Sequence, residues 1–202
     1  MFYEPSKGHG LPHDPSKAIV APRPIGWIST RALDGRVNLA PYSYFNAISS
    51  RPFMVCFSSD GVKDSLTFAS ESREFVANLV GRDLAEKMNE TSVDAPRGVN
   101  EFGVAGLTEA PCRIVAAPRV GEAYAALECK VTDIYRPTGL DGRPSESHVV
   151  IGEVVGVHID DKVLVDGLFD ITKAGNLARL GYMDYTSVSE TFAMRRPRWK
   201  ND

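Results

Sequence analysis

Arg23-Pro24-Ile25-Gly26-Trp27-Ile28-Ser29-Thr30, then Asn38-Leu39-Ala40-Pro41-Tyr42-Ser43-Tyr44-Phe45-Asn46, then Phe53 to Ser59 running into Lys63-Asp64-Ser65: this stretch decides the fold. Trp27, Ile28, Tyr44, Phe45, Val55 and Phe57 are the aromatic and β-branched types that suit half-buried pleated surfaces, and Asp34-Gly35 and Ser50-Arg51-Pro52 punctuate them. The pattern predicts three successive strands, a β-meander, feeding a helix start. Small and hydroxyl-bearing residues (Ser29, Thr30, Ala40, Ser43, Ser49, Ser58, Ser59) are interleaved with the apolar ones and leave room for a ligand to approach the backbone. At Lys63-Asp64-Ser65 a helix N-terminus offers free N–H groups, a hydroxyl and an ammonium, a set that suits a phosphate. A flat ligand with a phosphate tail fits this reading. An ordinary hairpin with a solvated lysine at a helix start fits the same residues.

Outward from this stretch, residues 1–16 are rich in Gly, Pro and His without periodicity and read as an irregular arm. His9 and His13 lack the further ligands a metal site requires, so no metal site is expected. After Ser65, Leu66, Phe68 and Ala69 suggest a short helix and Glu74 to Val80 a strand. Asp83 with Glu86 three residues on resembles a capping box, opening a second short helix that ends near Asn89. Ser92 to Gly106 reads as a surface loop over a site or a partner. Ala125 to Tyr135 alternates as a strand with one wet face, whereas Val149 to Ile159 is apolar at both parities apart from Glu153 and His158. That strand is expected to be buried on both faces, its outer face against a helix or a second subunit. Asp170 precedes a helical stretch through Leu177 and Leu180, closed by Gly181. These elements form one domain over residues 17–190, followed by a basic tail, 191–202, that is solvated or clasps a subunit.

Composition sets independent limits. A chain of 202 residues, 43% apolar, can bury one substantial core. A formal charge of −3 and a pI near 5.8 give no basic face for nucleic acid or an anionic membrane. No apolar run approaches the roughly 20 residues that span a bilayer, and the first residues lack the order of a secretion signal, so a cytoplasmic protein is expected. Cys56, Cys112 and Cys129 show neither an even count nor Cys-x-x-Cys spacing and read as reduced, structural thiols. Phosphate-cradling glycine loops, His-Glu-x-x-His and Gly-x-Ser-x-Gly are missing, so kinase-like, zinc-hydrolase and serine-hydrolase readings have no foothold.

The blocks quoted first, in their order and spacing, resemble the flavin reductase-like, FMN-binding split-barrel family that includes flavoredoxins. Further matches lie at Ser147-His148-Val149-Val150-Ile151-Gly152-Glu153-Val154, Arg179-Leu180-Gly181 and Met194-Arg195-Arg196-Pro197. Ser65 stands where the family usually has Thr, and Tyr182 where it often has a second Gly. The resemblance implies a mainly β fold with helices outside, a six-stranded antiparallel Greek-key split barrel. It implies an FMN-dependent oxidoreductase, an NAD(P)H:flavin reductase. An electron carrier without its own nicotinamide pocket, and a barrel that binds another ligand or a protein, remain as alternatives. Backbone contacts to the isoalloxazine are implied for Asn38, Leu39, Ala40, Pro41, Tyr42, Ser43, Tyr44 and Phe45, with Asn46, Ser49 and Ser58 extending the lining. Lys63, Asp64 and Ser65 take the phosphate end, Asp64 as a helix cap or an orienter of Lys63, with Ser29 and Thr30 as neighbours. His148 is the catalytic candidate, positioning the nicotinamide with Arg179 and Tyr185 on the same side. The partners implied are nicotinamide and flavin, or a redox protein, and a second copy in a homodimer.

Overall fold

A computed structural model describes residues 1–199, so the end of the expected tail, 200–202, lies outside the described residues. Seven strands build the main sheet: β1 (Gly26–Arg31), β2 (Val37–Tyr42), β3 (Phe45–Ser50), β4 (Phe53–Asp60), β5 (Glu74–Asn78), β6 (Ala125–Tyr135) and β7 (Ser147–Ile159). They pair antiparallel throughout in the order β2-β1-β5-β6-β7-β4-β3. Asn38–Asn46, expected as one strand, is therefore two strands on opposite edges of the sheet, joined only by Ser43-Tyr44.

That connection dictates the shape. Three peptide steps from Tyr42 to Phe45 reach at most about 11 Å, whereas the outer strands of a flat seven-stranded sheet lie roughly 29 Å apart. The sheet must curl until its edges meet, leaving a seam between β2 and β3 that side chains close. Tyr42 packs against Phe57 of β4 with ring centroids 5.0 Å apart. The Phe45 ring lies over Gly26 of β1, where a Cβ would stand 2.5 Å from it. Glycine at 26 is what this close approach requires. The fold is a mainly β, antiparallel split barrel with seven strands in its sheet rather than the expected six.

Strand β1 is buried on both faces because it lies between two apolar clusters. Ile28, Tyr42, Val55, Phe57, Phe75, Cys129 and Val150 fill one, with Leu66 and Ala69 of helix α1 (Asp64–Ser72) packed on it. Trp27, Leu39, Met88, Phe102 and Val120 fill the other. Helix α2 (Ala85–Glu90) and the turn Glu101–Val104 contribute Met88 and Phe102, and the buried Trp27 Nε1 donates to Thr91 Oγ1 at 2.8 Å. Each such fully buried apolar side chain contributes about 1.5–3 kcal/mol of transfer free energy.

Three local expectations are corrected. Asp83 does not cap α2: its carboxylate accepts from the Tyr124 hydroxyl instead. The helix after Asp170 is a single turn, Ile171–Ala174, capped by Asp170 and stopped by Gly175 at φ +57°, and Leu177–Arg179 is a strand. It joins Arg23–Pro24 and Tyr185–Ser187 in a small sheet that seats the C-terminal segment beside the seam. Strand β7 is less covered than its sequence suggests, since Val157 and Ile159, the ladder partners of Leu127 and Ala125, are exposed. Among the described residues no helix is long and apolar enough to cross a membrane.

Candidate functional site

Three hollows of about 530, 310 and 690 Å³ follow one another along the seam. Pro41 and Ser92 line both the first and the second, and Arg23 and Ser43 both the second and the third, so the three form one continuous groove. Its floor is the chain from Asn38 to Asn46, the segment that crosses from one sheet edge to the other.

The first hollow ends at the N-terminus of α1. Lys63 is extended and no side chain caps the helix, whose first backbone bond runs from Thr67 N–H to Lys63 C=O at 2.9 Å. The preceding N–H groups, the exposed Lys63 and Arg97 gather at that end as donors, with the carboxylates of Asp64, Asp94 and Glu101 also on the walls. Asp64 turns its carboxylate to the neighbouring loop, accepting Gly98 N–H at 2.7 Å and pairing with Arg97 at 3.4 Å. It thereby pins the loop over the hollow. The Ser65 hydroxyl donates to Asn38 Oδ1. The Asn38 amide in turn donates to both Glu101 oxygens at 3.1 and 3.0 Å, and Glu101 Oε2 accepts Leu39 N–H at 2.9 Å. A carboxylate only accepts, so this network fixes which way the Asn38 amide faces. Burial raises the Glu101 pKa, with the Leu39 N–H and its other hydrogen bonds acting against the rise. Glu101 and Pro41 also blunt the free edge of β2, the one by taking an N–H and the other by lacking it.

The second hollow is bounded by Arg23, Arg179, Tyr182 and Tyr185. Arg23 is only 7% exposed, and its guanidinium donates to the carbonyls of Lys17, Val20 and Leu180. These partners are all neutral, so the buried charge keeps a positive potential in the middle of the groove. The Arg179 guanidinium lies 4.4 Å from the Tyr185 ring centroid and donates to the Tyr185 hydroxyl. The third hollow is walled by Pro22, Tyr44, Phe45, Asn46, Cys56, Ser58 and Val149, a mostly flat and apolar lining with a few polar edges.

Of the residues singled out from sequence, Asn38, Ala40, Pro41, Tyr42, Ser43, Tyr44, Phe45, Asn46, Ser58, Lys63, Asp64 and Ser65 line the groove. Five do not. The Leu39 side chain is in the core and its N–H is held by Glu101. Ser29 is fully buried, donates to Pro118 C=O and accepts from Asn78, since it faces away from the Asn38 side of the ladder. Thr30 pairs with Asn38 and shares its face, but is fully buried beneath it, its hydroxyl without a partner among the described residues. Ser49 accepts the Arg51 N–H and closes the β3–β4 turn. His148 pairs with Ser59 while its neighbour Val149 pairs with Ser58. Side chains alternate along a strand, so His148 faces away from the wall that Ser58 and Val149 give the groove. Arg179 and Tyr185, expected beside it, line the second hollow without it. Arg97 and Glu101 were missed because they fall in the aperiodic segment Ser92–Gly106. Arg23 was read only as part of a strand motif.

A family model described as the flavin reductase like domain matches residues 20–176. The chain belongs to this family. An uncharacterized protein of Aquifex aeolicus is 36% identical over 176 residues, covering 84% of this chain and 86% of its own. Among solved structures, nitrilotriacetate monooxygenase component B from Bacillus cereus superposes with a TM-score of 0.87 at 25% identity, over 96% of this chain and 98% of its own. Flavoredoxin of Desulfovibrio vulgaris shares the fold, with a TM-score of 0.76 at 24% identity over 87% of this chain and 91% of its own. In this flavin reductase-like domain the matched region contains the groove's floor, the α1 N-terminus and the loop that Asp64 pins.

Proposed function

We propose that the seam groove binds FMN and that the protein is an NAD(P)H-dependent flavin oxidoreductase. The observation that carries this reading is the asymmetry of the groove. One end has an uncapped helix N-terminus with Lys63 and Arg97, the donor set for a phosphate, and the other has the flat walls of Tyr44 and Phe45, which suit a ring system. The family and its flavoprotein neighbours support the flavin.

When bound, FMN would supply the hydride-accepting ring. The chain's own residues bind and orient. Lys63, Arg97 and the first N–H groups of α1 hold the phosphate, and the Ser65–Asn38–Glu101 network keeps that end rigid. Asn38 to Asn46 runs beside the ring, and Ser58 edges it. Arg23 favours a ligand that gains negative charge in the middle of the groove. Hydride transfer needs no acid from the protein, and we assign no step to His148. Arg179 and Tyr185, in the middle hollow, are the residues that would position the nicotinamide.

The pure protein loaded with FMN and mixed anaerobically with NADH or NADPH is expected to lose its oxidised-flavin absorbance in a single-turnover phase. Bound flavin that neither nicotinamide reduces would replace the reductase by an electron carrier, and failure to take up FMN would refute the flavin reading itself. We further propose a homodimer, because Val157 and Ile159 on β7, Ile48 on β3 and Tyr44 just before it are exposed apolar side chains. Light scattering should give twice the chain mass; a monomer with FMN bound would contradict it.

A further inference from the structure

Away from the groove, a hollow of about 470 Å³ is lined by Arg113, Arg119, Tyr124, Glu128, His158 and Asp160, none of which lines the three hollows described above. Glu128 of β6 and His158 of β7 share a face there, because Gly156 is the ladder partner of Glu128 and His158 is two residues on. Cys112 arrives from the loop before β6. One ligating atom from each, Sγ, a carboxylate oxygen and an imidazole nitrogen, lies within 4.8 Å of the other two.

We propose that Cys112, Glu128 and His158 form a site for a divalent cation of the zinc type, with water from the hollow in the fourth position. Soft thiolate, imidazole and carboxylate in a set of three with one open position match the tetrahedral preference of that ion. Each Glu128 oxygen already has two partners, and only one of the four is another proposed ligand. Oε2 is filled by the N–H groups of Ile114 and Val115, at 2.7 and 2.9 Å. Oε1 takes Arg113 N–H at 2.9 Å and His158 Nε2 at 2.6 Å. A cation between Oε1 and Nε2 replaces only the histidine contact, while the three N–H groups go on holding the carboxylate. The two atoms must then separate to about 3.3 Å to suit metal bonds of about 2 Å each.

Charge balances as well, since a thiolate and a carboxylate offset a dication. Binding as a thiolate releases the Cys112 proton to solvent. Arg113 and Arg119 on the walls oppose any cation held by field alone, so the site depends on its three ligands.

The test is a Zn2+ titration of the full-length protein, with its flavin if bound, against a chromophoric chelator. It is paired with Co2+ titration read in the red, beyond oxidised-flavin absorption. One equivalent of Zn2+ per chain is expected, with tetrahedral cobalt bands. Cys112→Ser and His158→Gln should each lower Zn2+ affinity roughly tenfold or more, whereas the pair His9→Ala with His13→Ala in the N-terminal arm changes nothing. Absence of stoichiometric binding overturns the proposal. So does unchanged affinity in either the Cys112 or the His158 variant, or loss of binding in the arm variant. The cobalt bands of the unaltered protein keep the test independent of how the variants fold.

Discussion

Replacing Lys63 by alanine is expected to weaken FMN binding by about ten- to a hundredfold while riboflavin affinity stays nearly unchanged. A charge-assisted hydrogen bond is worth about 1.5–3 kcal/mol, and only FMN carries the phosphate that would accept it. The structure sharpens the expectation in two ways. Lys63 is exposed and sits where α1 leaves its first N–H groups uncapped, so the backbone and Arg97 keep part of the phosphate affinity in the variant. An exposed ammonium is also screened, so the FMN preference should shrink as salt is raised. Fluorescence-quenching titrations with both flavins, at low and high salt, read all of this. Equal losses for FMN and riboflavin would remove Lys63 from the phosphate end.

Glu128→Ala is expected to cost about 3 kcal/mol or more of folding stability, since each N–H group left without its partner costs about 1–3 kcal/mol where it is buried. The carboxylate is 1% exposed and accepts the N–H groups of Arg113, Ile114 and Val115, so its loss strands three donors and frees the loop they belong to. Burial alone would raise the Glu128 pKa. The backbone N–H groups of Arg113, Val115 and Ile114 together with His158 outweigh it and hold the value at about 2. A depressed folded-state pKa stabilises the fold above the unfolded carboxylate value, and that stabilisation is lost as pH falls through about 2. Chemical denaturation of both proteins across pH should therefore show a large gap at neutral pH that narrows on acidification below about 4.5. A gap that is small at neutral pH, or flat with pH, would show that the loop does not depend on this carboxylate.

The strand-rich fold could be read in advance because it rests on local chemistry, β-branched and aromatic runs and turn residues, whereas the flavin reading comes from the resemblance of whole blocks to a family, since the lysine–aspartate–serine helix start by itself fits a solvated lysine equally well. What escaped were consequences of closure. Asn38–Asn46 has the composition of one strand, and nothing local reveals that Ser43-Tyr44 carries the chain from one edge of the sheet to the other. Parity explains the misplacement of Ser29 and His148. Both lie on strands of the main sheet, but the face each turns to is set by its cross-strand partners, Leu39 and Ser59. Glu101 and Arg97 lie in a segment without periodicity, and their roles arise from contacts more than thirty residues away in sequence. Gly175 ended a helix that the apolar spacing of Leu177 and Leu180 had extended, because a left-handed residue stops a helix whatever apolar residues follow.

The most direct test of the central claim is a crystal structure of the protein with FMN. One flavin per chain is expected along the seam, its ring against the segment Ala40 to Phe45 and Ser58, and its phosphate at Lys63, Arg97 and the first N–H groups of α1. A flavin bound elsewhere, or lying in the groove with its phosphate at the Tyr44–Phe45 end, would contradict it.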